Sequence, residues 1–296
     1  MSGLSALSEG RRRFLDRLVS DLAGVPAMVA VVLGGSHDNG TAVEGSDIDL
    51  GLYYREAAPF SIADIQRIAA GVSVPATPTV VGFYEWGHWV NGGAWIETVA
   101  GKVDLLYRNL DQVERTVDEA RQGSFQQDYG QQPTHGFYNV TYLAETRACL
   151  PLYDPEMRIA ELKRRVEVYP EKLKKSIVAG QLWSAEFTLS SARGHAAGGD
   201  VYNTAGCLNR VAASLTQVLF ALNEEYPLGD KRVIEVVAAF PILPPGYVSE
   251  VNRILARPGE TAAELQSAVV GIEAVWRSVV SLAGAMYRSR FDLPGA

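Results

Sequence analysis

The chain has 296 residues and a mass of 32.1 kDa, enough for two domains at ~100–200 residues each. Hydrophobic residues make up 47% and charged residues 21%, which excludes a disordered or collagen-like chain. A net charge of -7 argues against a broad basic face for duplex nucleic acid, yet leaves room for a small anionic ligand held by a few cations or by magnesium. Two cysteines, Cys149 and Cys207, with no CxxC pair, make neither a disulfide framework nor a zinc site and suit a reducing cytoplasm.

In chain order, residues 11–23 read as an amphipathic helix. Arg12-Arg13 is followed by Asp16, Arg17 and Asp21 where an export signal needs an apolar run, so the segment is read as part of a cytoplasmic protein. The uncharged stretch 22–37 is too short and too glycine-rich to span a bilayer, and no membrane partner is expected. The apolar run 27–33 reads as a buried strand, and 47–54 alternates as a second. Residues 61–70 read as a helix capped by Ser61, with Asp64 three positions on. Residues 79–83 and 102–107 read as further strands, and 109–121 as a helix.

Residues 122–136 are polar, glutamine-rich and broken by Gly and Pro, which marks a connecting loop. Beyond residue 155 helical spacing takes over. Leu208, Val211, Ala212, Leu215, Val218, Leu219 and Leu222 form one apolar stripe; Leu265, Val269, Ile272, Trp276, Val279, Ala283 and Met286 form another. The expected fold class is α+β. An N-terminal α/β domain with a mixed sheet (1–122) precedes a C-terminal helical bundle (137–296), with 123–136 between them.

The chemistry concentrates in residues 33–50, LGGSHDNGTAVEGSDIDL. A buried strand runs into Gly34, Gly35 and Ser36, where the backbone can approach a ligand closely and successive N–H groups can cradle phosphate oxygens. The spacing matches neither GxxxxGK[ST] nor GxGxxG. Asp47 and Asp49 flank Ile48, so on a strand both carboxylates leave one face. Two like charges that close are unfavourable unless a cation joins them, and magnesium binds such oxygens while keeping water or phosphate as further ligands. Asp104 adds a third carboxylate inside the apolar strand 102–107. Three carboxylates on neighbouring strands can hold two ions about 3.5–4 Å apart for in-line phosphoryl displacement, with Asp104 near the attacking hydroxyl.

These motifs resemble the polymerase-beta-type nucleotidyltransferase superfamily. The matching parts are Gly35-Ser36, ten intervening residues, Asp47-Ile48-Asp49-Leu50, and Val103-Asp104-Leu105. The resemblance implies that Gly35 and Ser36 hold the nucleotide's phosphates, and that Asp47 and Asp49 ligate magnesium. It implies further that Asp104 helps bind the catalytic ion and positions the acceptor. Many members carry Arg after the Gly-Ser pair, where this chain has His37, Asp38 and Asn39. In layout the chain is similar to two-domain bacterial aminoglycoside and lincosamide nucleotidyltransferases. The implied reaction moves a nucleoside monophosphate, AMP from ATP or another nucleoside triphosphate, to an acceptor hydroxyl with release of pyrophosphate. The implied acceptor is an antibiotic-like small molecule ahead of a protein hydroxyl.

Other residues carry two readings each. Trp86, Trp89 and Trp95 form either an aromatic wall or a core hairpin. Lys231, beside Arg232, either reaches the triphosphate or is a solvated helix-end cation. Arg108 either meets phosphate or an aspartate, or makes a supporting salt bridge. His135, Glu145 and Glu186 either line a cleft or are structural. The alternative function is a non-catalytic nucleotide-binding or antitoxin-like module acting through a protein partner.

Overall fold

The structure is a computed structural model that describes residues 7–34, 46–229 and 231–291. The Gly35-Ser36 turn, with His37, Asp38 and Asn39, therefore lies outside the described residues.

The first half forms α1 (Glu9–Ala23), β1 (Ala30–Leu33), β2 (Ile48–Tyr54), α2 (Ile62–Val72), β3 (Thr79–Val80), β4 (Gly93–Thr98), β5 (Gly101–Asn109) and α3 (Leu110–Arg121). It continues through β6 (Gln127–Asp128), β7 (Phe137–Tyr138), α4 (Thr141–Ala148), β8 (Leu150–Tyr153) and α5 (Arg158–Val166). The sheet is mixed and has six strands in the order β3-β4-β5-β2-β1-β8, with β2 and β5 parallel and the other pairs antiparallel.

Local chemistry explains most of the elements. Ser8 and Ser61 cap α1 and α2 by accepting from Arg11 N and Asp64 N. Asn109 Oδ1 accepts from the N–H groups of Asp111 and Gln112 and so starts α3. β1 begins at Ala30 and not at residue 27, because Ala27 takes a left-handed φ of 66° that an extended strand cannot contain. β3 stops at Val80; the chain turns through Tyr84 at φ 64°, so the expected strand 79–83 is cut short.

One face of the sheet is covered by α1 and α2. Leu15, Leu18 and Leu22 of α1 and Ile65 and Ala69 of α2 close over Val31, Leu33, Ile48, Leu50, Val103 and Leu105, all essentially without solvent exposure. Burial of this kind contributes roughly 1.5–3 kcal/mol per large aliphatic side chain. The strict alternation of β2 and β5 sends Asp49 and Asp104 to the opposite face.

The chain divides into two compact units, 1–118 with 127–131 and 137–168, and 119–126 with 132–136 and 169–296. This moves the division expected at 123–136. Residues 137–168 belong to the first unit because β8 pairs antiparallel with β1 and completes the sheet. Pro151 is tolerated in β8 because the strand lies at the sheet edge.

The second unit is mostly helical. α6 (Glu171–Ala197) and α7 (Val201–Leu222) form a hairpin, joined by α8 (Val233–Ala238), α9 (Tyr247–Ala256) and α10 (Ala262–Ala283), the last packing on both α6 and α7. The two apolar stripes are buried as the sequence predicts, apart from Met286, which is half-buried. α7, and α10 extended to Met286, are long and apolar enough to cross a bilayer; the apolar stripe of each is buried in the bundle core, while Val270 and Leu282 of α10 are exposed.

Candidate active site on the open sheet face

The parallel register of β2 and β5 pairs Asp49 directly with Asp104. The antiparallel register of β5 and β4 then pairs Asp104 with Trp95. On the other side, the N–H of Gly34 donates to the carbonyl of Asp49 at 2.9 Å. One row across the sheet therefore reads Gly34, Asp49, Asp104, Trp95. At about 4.8 Å per strand it spans roughly 15 Å.

The next row reads Glu97, Lys102 and, just before β2, Asp47. The Lys102 ammonium stands 3.7 Å from one oxygen of Asp47 and 3.7 Å from one oxygen of Asp104. It thus links two carboxylates that the sequence analysis singled out. The Asp104 carboxylate and, secondarily, that of Asp47 raise the Lys102 pKa above its ordinary value. Asp47 is exposed, while Asp49, Asp104 and Lys102 are half-buried. Arg11 of α1 donates to the carbonyl of Ser46 at 2.5 Å and so tethers the segment that carries Asp47.

The row gives the carboxylates a hard-oxygen donor set, which suits a small divalent cation. The Lys102 ammonium already bridges two of them, so a cation fits there. Among the described residues, no three His, Cys, Asp or Glu side chains are arranged to ligate one ion as they stand.

The three neighbouring tryptophans separate into two environments. Trp95 is 49% exposed on the carboxylate face, and the Trp86 ring stacks against it at 4.7 Å and 23°. Trp89 is buried, stacked on Phe137 at 5.5 Å and edge-on to Tyr142. The glycines make the stack possible. A Cβ on Gly93 would lie 1.9 Å from the Leu105 carbonyl and 2.7 Å from Trp86, and one on Gly92 would lie 2.3 Å from the Gly82 carbonyl. Only residues without side chains let this loop lie flat on β5.

The other end of the same face is closed by α4. Arg108 is 6% exposed and makes two 2.8 Å bonds to the Glu145 carboxylate, beside Tyr142 and Tyr53. Both groups are consumed by this pair, which is the supporting salt bridge and not an anion site. Glu186 lies in the second unit, fully buried, and accepts from Tyr287, Ser289 and the N–H groups of Arg290 and Phe291. Burial pushes its carboxyl up, but the bonds from Ser289, Tyr287, Arg290 and Phe291 outweigh burial and hold it below the ordinary range. It is a structural carboxylate.

Lys231 is exposed in the second unit, just before α8, and His135 is half-buried in segment 132–136. A cavity of about 380 Å³ between α3 and α5 shares no residue with the carboxylate rows. Its arginines pair with nearby acids, Arg158 with Glu156 and Arg165 with Asp118. The candidate carboxylates therefore line the open sheet face and not that hollow.

Residues 12–115 match the nucleotidyltransferase domain family, a span that contains β1, β2 and β5 and all three aspartates. This part of the chain is a nucleotidyltransferase domain. Its described residues hold the aspartate rows, and β8, which lies beyond the matched span, completes its sheet. Residues 138–231 match a second family, described as a domain of unknown function (DUF4037). Among solved structures, a nucleotidyltransferase-like protein from Exiguobacterium sibiricum 255-15 is similar at 12% identity. That match covers 92% of this chain and 78% of that one, with a TM-score of 0.47. No curated protein matches the chain.

Two residues of the nucleotidyltransferase face escaped the sequence analysis. Lys102 sits two positions before Asp104, and the alternation that placed Asp47 beside Asp49 would also have placed Lys102 beside Asp104. Arg11 had no comparable signal, because its partner Ser46 is 35 residues away.

Proposed function

We propose that the chain is a magnesium-dependent nucleotidyltransferase that moves AMP from ATP to the hydroxyl of a small acceptor, releasing pyrophosphate. The observation that carries this is the register that sets Asp49 beside Asp104 on the open face of a nucleotidyltransferase domain. Asp47, Asp49 and Asp104 would hold two magnesium ions, which supply neutralisation of the charge that develops on the transferring phosphoryl group. Gly35 and Ser36 would receive the donor's phosphates through backbone N–H groups.

In-line displacement puts the attacking hydroxyl opposite the departing pyrophosphate. If the donor's phosphates enter from the Gly34 side of the row, the acceptor would lie at the other end, over Trp95. Asp104, the carboxylate next to Trp95, would orient that hydroxyl and take its proton. The exposed indole would stack on a ring of the acceptor.

The test is incubation of the chain with α-labelled ATP, magnesium and a panel of hydroxyl acceptors. Label should pass to one acceptor, with one pyrophosphate released per transfer. Asp49→Asn and Asp104→Asn should abolish transfer. ATP binding without turnover across the panel would instead favour the nucleotide-binding module.

A further inference from the structure

We propose that Lys102 is a resident counter-cation of the aspartate site, which a divalent ion must displace in order to bind. The proposal rests on the metal-site reading above and adds a residue which that reading does not need. The Lys102 ammonium stands 3.7 Å from an oxygen of Asp47 and 3.7 Å from an oxygen of Asp104. Charge-assisted N–H···O bonds close to about 2.7–2.9 Å. At 3.7 Å the attraction is Coulombic and is given up without breaking a well-formed hydrogen bond. The Lys102 side chain is 40% exposed, so the ammonium can swing away on its four-carbon stem at little cost in packing.

A destination for it lies on the same face. Glu97 is the cross-strand partner of Lys102 in the β4–β5 register and is exposed. An ion entering between Asp47 and Asp104 would push the ammonium toward Glu97, and the exchange keeps every charge paired. Without the ion, Lys102 offsets the mutual repulsion of the aspartates and holds the site together. Lys102 is therefore a positioning residue that sets how tightly a cation binds.

The test uses the full chain, stripped of metal with EDTA and titrated with Mn²⁺, with free Mn²⁺ read by electron paramagnetic resonance. Lys102→Met removes the competing charge and keeps the length, so it should bind Mn²⁺ about tenfold more tightly than the parent. Lys102→Arg should bind like the parent. In EDTA the Lys102→Met chain should melt lower than the parent, and saturating Mn²⁺ should recover the difference. If Lys102→Met does not fold, Lys102→Gln serves the same comparison. Equal or weaker Mn²⁺ binding by the neutral variant overturns the counter-cation role while leaving the metal site standing. Absence of Mn²⁺ binding by both parent and variant overturns the metal-site reading and this role with it.

Discussion

The two units treat their acidic side chains in opposite ways. In the second, Glu186 is fully buried with both oxygens engaged by four donors, and buried Glu273 bridges Arg193 and Arg277. In the first, Asp47 and Asp104 share one ammonium at 3.7 Å and stay partly open to solvent. A carboxylate whose oxygens are held by several close hydrogen bonds is part of the scaffold. A carboxylate compensated only loosely keeps its attraction for something outside the chain. The contrast also runs within the nucleotidyltransferase face, where Glu145 makes two 2.8 Å bonds to Arg108 at one end and Asp47 and Asp104 meet Lys102 only at 3.7 Å at the other.

Substitution should break this contrast most sharply at Asp104. Asp104→Asn keeps size and hydrogen-bonding capacity but removes charge where the metal and hydroxyl would meet. Transfer should fall by about a thousandfold, as when one preorganised electrostatic contact is lost. The melting temperature should stay near that of the parent, because the group is not a scaffold carboxylate. Retention of more than a tenth of the activity would mean that the aspartate rows are not the reacting site.

Gly93→Ala probes the frame that holds the face open. Its Cβ would overlap the Leu105 carbonyl at 1.9 Å, and backbone cannot move aside without parting β4 from β5. A loss of about 3 kcal/mol in stability is expected, measured by urea unfolding. Trp95→Ala should act more selectively. With whichever acceptor the labelling assay returns, the acceptor KM should rise about tenfold, in line with loss of one aromatic stack in a partly desolvated site. The ATP KM should stay within twofold. A rise in the ATP KM alone would put the nucleobase, and not the acceptor, on Trp95.

The sequence made the aspartate rows legible because a strand's two-residue period fixes which side chains share a face. Asp47, Asp49 and Asp104 could be placed without coordinates, and so could the stripes of α7 and α10. What escaped depends on contacts that no local pattern encodes. β4 was hidden because its first residue is a glycine, yet Gly93 is there for close packing against Leu105 and Trp86, as Gly92 before it is against Gly82. β8 was hidden because it has four residues and a proline, and only its edge position beside β1 makes it a strand. The roles of Glu145 and Glu186 were open for the same reason. Arg108 lies 37 residues from Glu145, and Tyr287 lies 101 from Glu186.

Acid sharpens the same comparison with the smallest effect, through Glu186. Its folded pKa is depressed by the bonds from Ser289, Tyr287, Arg290 and Phe291, which prevail over burial. A group with a depressed folded pKa stabilises the native state fully above its unfolded value, near 4.3 for glutamate. It loses that contribution as pH falls through the folded value. Unfolding of the parent followed from pH 7 down to pH 3 should therefore show stability falling below about pH 4. In Glu186→Gln the fall should be shallower, since the substitution removes the titrating charge while lowering stability at pH 7. Identical slopes for the two chains would mean that Glu186 gains nothing from its donors. The line drawn between a satisfied scaffold carboxylate and an available one would then fail at the residue that defines its first half.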